Sequence, residues 1–572
     1  MGKVFTRKRL YSWHSWVGMH LGLILVAICV SGTVAVFTPE LDDWLDPATT
    51  VEPPTADARK ESLGSVIDGV RAAYPLARVR FARRGASADE PDTVTVAYSG
   101  RDVREVRVDP YGGEILAERT GLNLKSFVRI FHKQLFLVPS TIGFHGTLIV
   151  GALSFALLLA GITGLLALPH WRRAFFRLRL GRGRRTFTSD LHRLVGSWSL
   201  VVSIVLSLTG IWYLGEQIAT TFDLVEHDPL RRVKTAEFEG LGDRLTPLSI
   251  DELIGRAQAE YPELQVTAIS IPSAPGDPIG FVGSADTVLV RDAANAIALD
   301  PFTGNVVGMQ RGTDLGLVAR LNHTMDPVHF GTFGGIWTRW LFFLSGLALC
   351  VGIAFGTVLH ASRTQKAARA GALKRSLWSA SGLVTSLLLL LSALSGTGYL
   401  ILPRLQGPSS ERTLEAVGTA EVAGSSVHLF REDRGERPPA LYVRFDDRSL
   451  PGCESLGLVT AGGEDPVDVG LVFGATRVRA TPAIASADPR SLRLSGTTRS
   501  GEAFDVAFAA PEASGRTISA PPGIPLWTRL GILLFSLLIV LPTLAWLWCV
   551  RVPRRRTRAV SSSRETLVAV AR

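Results

Sequence analysis

Cysteine is scarce in this chain: there are four in 572 residues, and Cys29, Cys350 and Cys549 lie in apolar runs, with only Cys453 outside. That excludes a disulfide framework and a cysteine-based zinc site. Charge is missing from the central parts of six stretches of 20 or more mostly apolar residues. A hydrocarbon core of about 30 Å requires a run of about 20 apolar residues, so a soluble enzyme with one large core is excluded. The 56 glycines and 31 prolines have no period, which excludes a collagen-like chain. A His-Glu-x-x-His motif and a nucleophile elbow are also lacking, and both would be needed for the commonest hydrolases.

What is present is a membrane layout. The apolar runs predict spans at about 16–37, 143–168, 194–214, 335–359, 377–402 and 525–549. The net charge of +10 is concentrated at their flanks. Lys3, Arg7, Lys8 and Arg9 precede the first span, and Arg172, Arg173, Arg177, Arg179, Arg182, Arg184 and Arg185 fill the first short loop. Arg363, Lys366, Arg369, Lys374 and Arg375 occupy the next, and Arg551, Arg554, Arg555, Arg556 and Arg558 follow the last span. All four groups fall on one side, which positive-inside logic makes cytoplasmic, with both termini there. A nucleic-acid partner is not expected, because these arginines sit against spans and not in an aromatic-bearing domain.

The expected fold is a membrane protein, an α-helical bundle of six transmembrane helices with two periplasmic α+β domains and a third, mainly β periplasmic domain. Its divisions are the N-terminus and first span (1–37), outer domain one (38–142), span two (143–168) and a basic cytoplasmic loop (169–193). Then come span three (194–214), outer domain two (215–334), span four (335–359), a second cytoplasmic loop (360–376) and span five (377–402). A β-rich outer domain (403–524), span six (525–549) and a basic tail (550–572) complete the chain. The first span is read as a retained anchor and not a cleaved signal, because its apolar region is too long and lacks a convincing cleavage site.

An internal repeat organises this layout. His14, Gly18 and Gly32 in the first span have the same spacing as His192, Gly196 and Gly210 in the third. Trp378, Gly382 and Gly396 keep that spacing in the fifth, with Trp in place of His. Ser31, Thr209 and Ser395 precede the last glycine of each set, giving a small-residue face for close helix approach. The outer segments repeat as well. Residues 62–119 and 249–310 each read as a helix reaching Tyr-Pro, then alternating strands with an Asp-Pro-aromatic-x-Gly turn. Trp337-Thr338-Arg339 reappears as Trp527-Thr528-Arg529.

Of eleven histidines, ten lie in or near the first two units. His14, His170, His192 and His360 sit at the cytoplasmic ends of spans, and His132, His145, His323 and His329 at the outer ends; His20 lies about 9 Å deeper than His14. Ionisable groups at membrane depth are costly and are by default a functional hypothesis. A single histidine at a span end is more often an interfacial residue satisfied by water or headgroups, the reading that best suits His360 and His323, with His428 a surface residue. The symmetric set His14, His132, His192 and His329 is harder to dismiss. Haem b takes two imidazoles from facing helices at matched height. A proton relay needs Asp or Glu within the span, and zinc needs three or four clustered ligands. A transporter would show charged or broken spans.

At these residues the chain resembles a known family. His14-Ser15-Trp16-Val17-Gly18, Ser31-Gly32-Thr33 with Glu40-Leu41-Asp42, and Phe131-His132-Lys133-Gln134-Leu135 are similar to the PepSY-associated transmembrane helix family. So are the Gly161–Gly164 stretch ending at His170, Asp190-Leu191-His192-Arg193, and Asp326-Pro327-Val328-His329 running on through Gly335. The resemblance covers about residues 8–362, includes iron-regulated and siderophore-reductase proteins, and makes the two outer domains PepSY-like. It implies a di-haem b inner-membrane protein passing electrons from an unidentified cytoplasmic or membrane donor to a ferric siderophore or other periplasmic iron chelate. The motif histidines carry over onto His14, His132, His170, His192 and His329, with His20 and His145 as further cofactor-binding candidates. Haem iron would be held through His14, His132, His192 and His329. The expected outer haem uses His132 or His145 from span two with His329 from span four, and the inner haem two of His14, His170 and His192. The alternative is a non-redox PepSY membrane protein that regulates envelope peptidases or binds a periplasmic partner.

Overall fold

The computed structural model describes residues 6–45, 50–137, 146–222, 244–367 and 411–551, with short breaks inside these ranges, together with Leu389 and Ser392. The predicted fifth span therefore lies almost wholly outside the described residues, as do His145 and the side chain of His360. Three described helices are long and apolar enough to cross a membrane: α6 (Gly146–Ala167), α8 (Leu200–Thr221) and the Gly335–Leu359 part of α11 (Gly335–Ala367). The paired helices α1 (Arg7–His20) and α2 (Gly22–Ala35) count as a fourth span if taken together, and the short α3 (Thr38–Leu45) follows them. The last predicted span falls on α12 (Leu526–Arg551), apolar over Leu526–Leu541. Rows of exposed Leu, Phe and Trp on these helices, Trp337 (81%) and Phe155 (53%) among them, suit contact with lipid.

The first span is not the single rod that its unbroken apolar run predicts. It bends by 71° at Leu21. Thr357 of α11 packs into the bend: a Cβ on Gly22 would lie 2.3 Å from its hydroxyl, which donates to the Gly18 carbonyl (3.3 Å). The third span breaks at the equivalent residue, Ser199, between α7 (Arg184–Trp198) and α8. There the Ser199 hydroxyl donates to the Val195 carbonyl (2.8 Å), a back-bond that loosens the helix ladder. The two halves of each opening span then part company. α1 packs on its own unit's α6 and α7 on its own α11, while α2 packs on the other unit's α11 and α8 on the other unit's α6. The first two units are thus intertwined about a pseudo-two-fold axis.

Outside the bundle, each repeat supplies one helix and four strands. The first copy has α4 (Leu63–Ala73), β1 (Arg78–Arg83), β2 (Asp92–Ala97), β3 (Val103–Val108) and β4 (Ile115–Thr120). The second has α9 (Ile250–Glu260), β6 (Gln265–Ser270), β7 (Ile279–Ser284), β8 (Ala296–Leu299) and β9 (Val306–Gln310), while β5 (Arg244–Leu245) pairs apart from them, with Leu450–Pro451 of the third unit. Ser62 and Ser249 cap the two helices alike, each hydroxyl accepting a backbone N–H. The copies are not separate domains. Their first strands pair antiparallel, Phe81 with Ser270 and Arg83 with Ala268, so one eight-stranded sheet runs β4-β3-β2-β1-β6-β7-β8-β9. Closing two edges against each other removes two rows of unpaired backbone groups, and Ile67, Val94, Val106, Leu253, Ile269 and Phe281 share one core behind it.

The third unit is mainly β, as its alternating pattern predicts. Residues 412–518 form a five-stranded and a four-stranded antiparallel sheet with a core between them that Phe302 joins, while Leu414, Phe430, Tyr442 and Ile518 pack into the core of the eight-stranded sheet. A buried charge cluster ties it to the first copy. Arg104, fully buried, donates to Asp102 (2.8 and 3.1 Å), Glu118 (2.5 Å) and the Ser519 carbonyl (3.0 Å), and Arg412 donates to Asp102 (2.6 Å). Below it, α12 packs Phe535 edge-on against Phe127 and Phe131 of α5 (Leu124–Gln134).

Candidate metal centres at two depths

His132 and His329 lie beside span two and ahead of span four, as their positions outside 143–168 and 335–359 predict, but each on a short helix of its own and not on the span itself. His132 is on α5, a short amphipathic helix that Asn123 and, from α3, Asp42 cap at its start and that ends before α6 begins. His329 is on α10 (Leu317–Phe330), ahead of α11. α10 runs almost directly into α11, with only residues 331–334 between them, whereas residues 135–145 separate α5 from α6. The Asp-Pro of 326–327 falls inside α10 and not at a loop.

Four histidines come together as two pairs. The rings of His14 and His192 have centroids 5.9 Å apart, tilted by 48°, and those of His132 and His329 are 6.2 Å apart, tilted by 45°. A metal–imidazole bond of about 2 Å, plus about 1 Å from nitrogen to ring centre on either side, sets two trans imidazoles about 6 Å apart. Both pairs match that separation. Each pair joins equivalent residues of the two units, so both lie on the pseudo-two-fold axis.

Every one of the four rings has its Nδ1 engaged. His14 Nδ1 donates to the Ala160 carbonyl (2.9 Å) and His192 Nδ1 to the Gly352 carbonyl (2.7 Å). His132 Nδ1 donates to the Ile28 carbonyl (3.0 Å), with Ser31 Oγ 3.1 Å away. His329 Nδ1 donates to Thr209 Oγ1 (2.7 Å), whose own proton goes to the Val205 carbonyl (2.9 Å). A ring that donates from Nδ1 carries its lone pair on Nε2, and such a bond is what orients metal-ligating histidines. Three of the rings also lie directly on a glycine. A Cβ would come within 2.9 Å of His14 at Gly164, 2.7 Å of His192 at Gly356 and 2.7 Å of His132 at Gly32.

The small residues of the repeat thus do more than let helices approach. Ser31 and Thr209 receive the outer histidines, and Gly32 makes room for one of them. A Cβ on Gly18 or Gly196, the other repeated glycines, would meet nothing within 4 Å among the described residues. The inner supports, Ala160 with Gly164 and Gly352 with Gly356, are not anticipated by the repeat, although their shared four-residue step is there to find.

The depths follow from the neighbours. Gly210, next to Thr209, packs on Ser154, and Thr33, next to Gly32, packs on Gly346. Ser154 precedes Gly164 by ten residues, and Gly346 precedes Gly356 by ten. At 1.5 Å per residue both helices place the pairs about 15 Å apart along the bundle.

The remaining candidates fall elsewhere. His20 stacks on Trp16, with centroids 4.8 Å apart. His170 is exposed, with a left-handed backbone at the start of a four-residue helix, away from the inner pair. His323 sits buried in α10, where its Nδ1 accepts from Arg291 Nε (3.1 Å), and not on a loop. Glu40 forms an ion pair with Arg339, which also donates to the Val36 carbonyl (2.6 Å). Asp190 takes Arg179 Nε (2.8 Å) and Nη2 (2.9 Å), pinning the basic loop two residues before His192. Among the described residues no three or more His, Cys, Asp or Glu gather into a metal-holding group.

A membrane helix bundle of two intertwined units, each carrying a helix-and-sheet module at one end, is the class these features define. The chain belongs to the family described as the PepSY-associated TM region, whose model matches residues 11–363. An uncharacterized protein of Pseudomonas aeruginosa is 26% identical over 243 residues, which is 39% of this chain and 58% of that relative. The chain thus matches less than two thirds of the relative's length. The family match ends before the third unit.

Proposed function

We propose that this is a di-haem b electron-transfer protein of the bacterial inner membrane, with both termini in the cytoplasm. It reduces a ferric siderophore or another ferric chelate on the periplasmic side with electrons from the cytoplasmic side. The observation that carries the reading is the pair of facing imidazole sets, 5.9 and 6.2 Å between ring centres, each ring fixed through Nδ1. Haem b held by two imidazoles would supply a one-electron carrier suited to electron transfer over oxygen binding. His14 and His192 would hold the inner haem, and His132 and His329 the outer. The carbonyls of Ala160, Gly352 and Ile28 and the hydroxyl of Thr209 keep the rings turned toward each other. Reduction releases the metal because Fe(III), the harder acid, is bound more strongly by hard oxygen chelators than Fe(II).

The test is the reduced-minus-oxidised visible spectrum and haem-to-protein ratio of the purified chain. Two haems per chain are expected. His14→Ala and His192→Ala should each remove the same haem, and His132→Ala and His329→Ala the other. A colourless protein ends the redox reading and leaves a PepSY-family membrane protein that binds or regulates an envelope partner.

A further inference from the structure

The two ends of the repeat differ in charge just where the outer histidine pair meets the eight-stranded sheet. In the second unit the residue three before His329 is Asp326. It is neutralised on both oxygens, by Tyr213 Oη (2.7 Å) and Arg291 Nη1 (3.2 Å). In the first unit the residue three before His132 is Arg129, which is exposed, and its guanidinium lies over the Phe330 ring at 5.6 Å. Phe330 is itself the neighbour of His329, so Arg129 spans the two halves of the outer pair.

Two more cations accompany it. Lys125 is one turn back on α5, and Arg83 projects from β1 at the seam where the two copies join. Ala82 is fully buried in the core behind the sheet, so by strand alternation Arg83 faces the other way, toward α5. Burial, and after it the guanidinium groups of Arg83 and Arg129, push the Lys125 ammonium below its ordinary value. Asp42 and Glu105 act in the opposite sense. Asp42 is committed, since its two oxygens accept the backbone N–H groups of Leu124 and Lys125 (2.9 Å each). Among the described residues none of the three cations has an ion pair. With Asp42 committed, Glu105 is left as one carboxylate against three cations, an imbalance that is costly unless a further anion joins them.

We propose that Arg83, Lys125 and Arg129 form a carboxylate-binding site between the seam of the eight-stranded sheet and the His132–His329 pair. A forked guanidinium suits a carboxylate better than an ammonium alone does. The carboxylate has two sources: an anionic ferric chelate arriving at the sheet end, or the propionate side chains of a haem held by His132 and His329. Only the second source rests on the redox reading.

The experiment uses the whole chain in detergent, as wild type, Arg129→Gln, Lys125→Gln and Arg129→Lys. Ferric citrate and an uncharged ferric trihydroxamate are each titrated by quenching of tryptophan fluorescence, a readout that needs no haem, and the haem-to-protein ratio is measured in parallel. If the acceptor supplies the carboxylate, either Gln variant binds ferric citrate about tenfold more weakly, the loss expected for one charge-assisted hydrogen bond. Trihydroxamate binding and haem content then stay at wild-type values, and Arg129→Lys recovers part of the citrate affinity. If the cofactor supplies it, the Gln variants lose haem or shift the outer midpoint potential, with chelate binding unchanged. Gln variants that match wild type in citrate binding, haem content and potential overturn the site. A chain that lacks haem yet shows the citrate loss keeps the site and removes only the redox reading.

Discussion

Replacing Gly356 by Ala tests the inner pair without touching a histidine. The added Cβ would lie 2.7 Å from His192 Cε1, 3.0 Å from Nδ1 and 3.5 Å from Nε2. Ordinary carbon contacts lie at about 3.5–4.0 Å, so the ring must withdraw by about 1 Å. That movement strains the 2.7 Å bond to the Gly352 carbonyl, four residues back on the same helix. Disturbing such an orienting bond costs about 10–100-fold in metal-site affinity. Overpacking adds about 1–3 kcal/mol of strain, against which Ala gains about 1 kcal/mol over Gly in helix propensity. The clash wins, so the haem-to-protein ratio of the purified variant should fall toward half. The outer centre's potential should stay put in a spectroelectrochemical titration. Gly196→Ala is the control: with nothing within 4 Å among the described residues it collects the propensity gain alone and, on the di-haem reading, should keep both haems. Equal, full haem content and identical potentials in the two variants would refute the reasoning.

Thr209→Val removes the acceptor of His329 Nδ1 while keeping the shape; it should weaken the outer centre about 10–100-fold and spare the inner one, read by haem content after dilution. Arg104→Met takes one of two cations from the buried Asp102, which keeps Arg412, and, among the described residues, the only paired cation from the half-buried Glu118, and should destabilise the junction with the third unit by about 1–3 kcal/mol. Limited proteolysis should then cut within 411–520 at a lower temperature than in the wild type; an unchanged cleavage temperature contradicts this. The hydrogen bonds from Arg179 hold the Asp190 carboxyl below its ordinary value. A lowered native pKa means that this stability is fully present above about pH 4 and is lost as pH falls further. Asp190→Asn should therefore flatten the acid limb of the stability profile, and a limb of unaltered steepness counts against it.

The sequence disclosed the units well and their union poorly. Charge-free runs located the three described helices long enough to cross a membrane and the bent α1–α2 pair, and the His14–Gly18–Gly32 spacing with its copy at 192 located the repeat. Strand alternation and the Asp-Pro turns located both sheet copies. What periodicity could not reveal is which edge meets which, since β1 and β6 belong to different repeats, far apart in the chain, and share no local signal for the pairing of Phe81 with Ser270. Nor did it mark α5 and α10 as helices in their own right, although it left 124–134 and 317–330 outside the spans. The opening spans also break at Leu21 and Ser199, and an apolar run carries no mark of a break that Thr357, from the other repeat, packs against.

Because each imidazole pair draws one member from either half of the duplicated region, neither half is self-sufficient. A fragment ending before the basic loop would present His14 and His132 with nobody opposite, and its complement would present His192 and His329 in the same state. Two such fragments made in one cell should rebuild both centres only by wrapping around each other, as would two copies of a single half in a symmetric dimer.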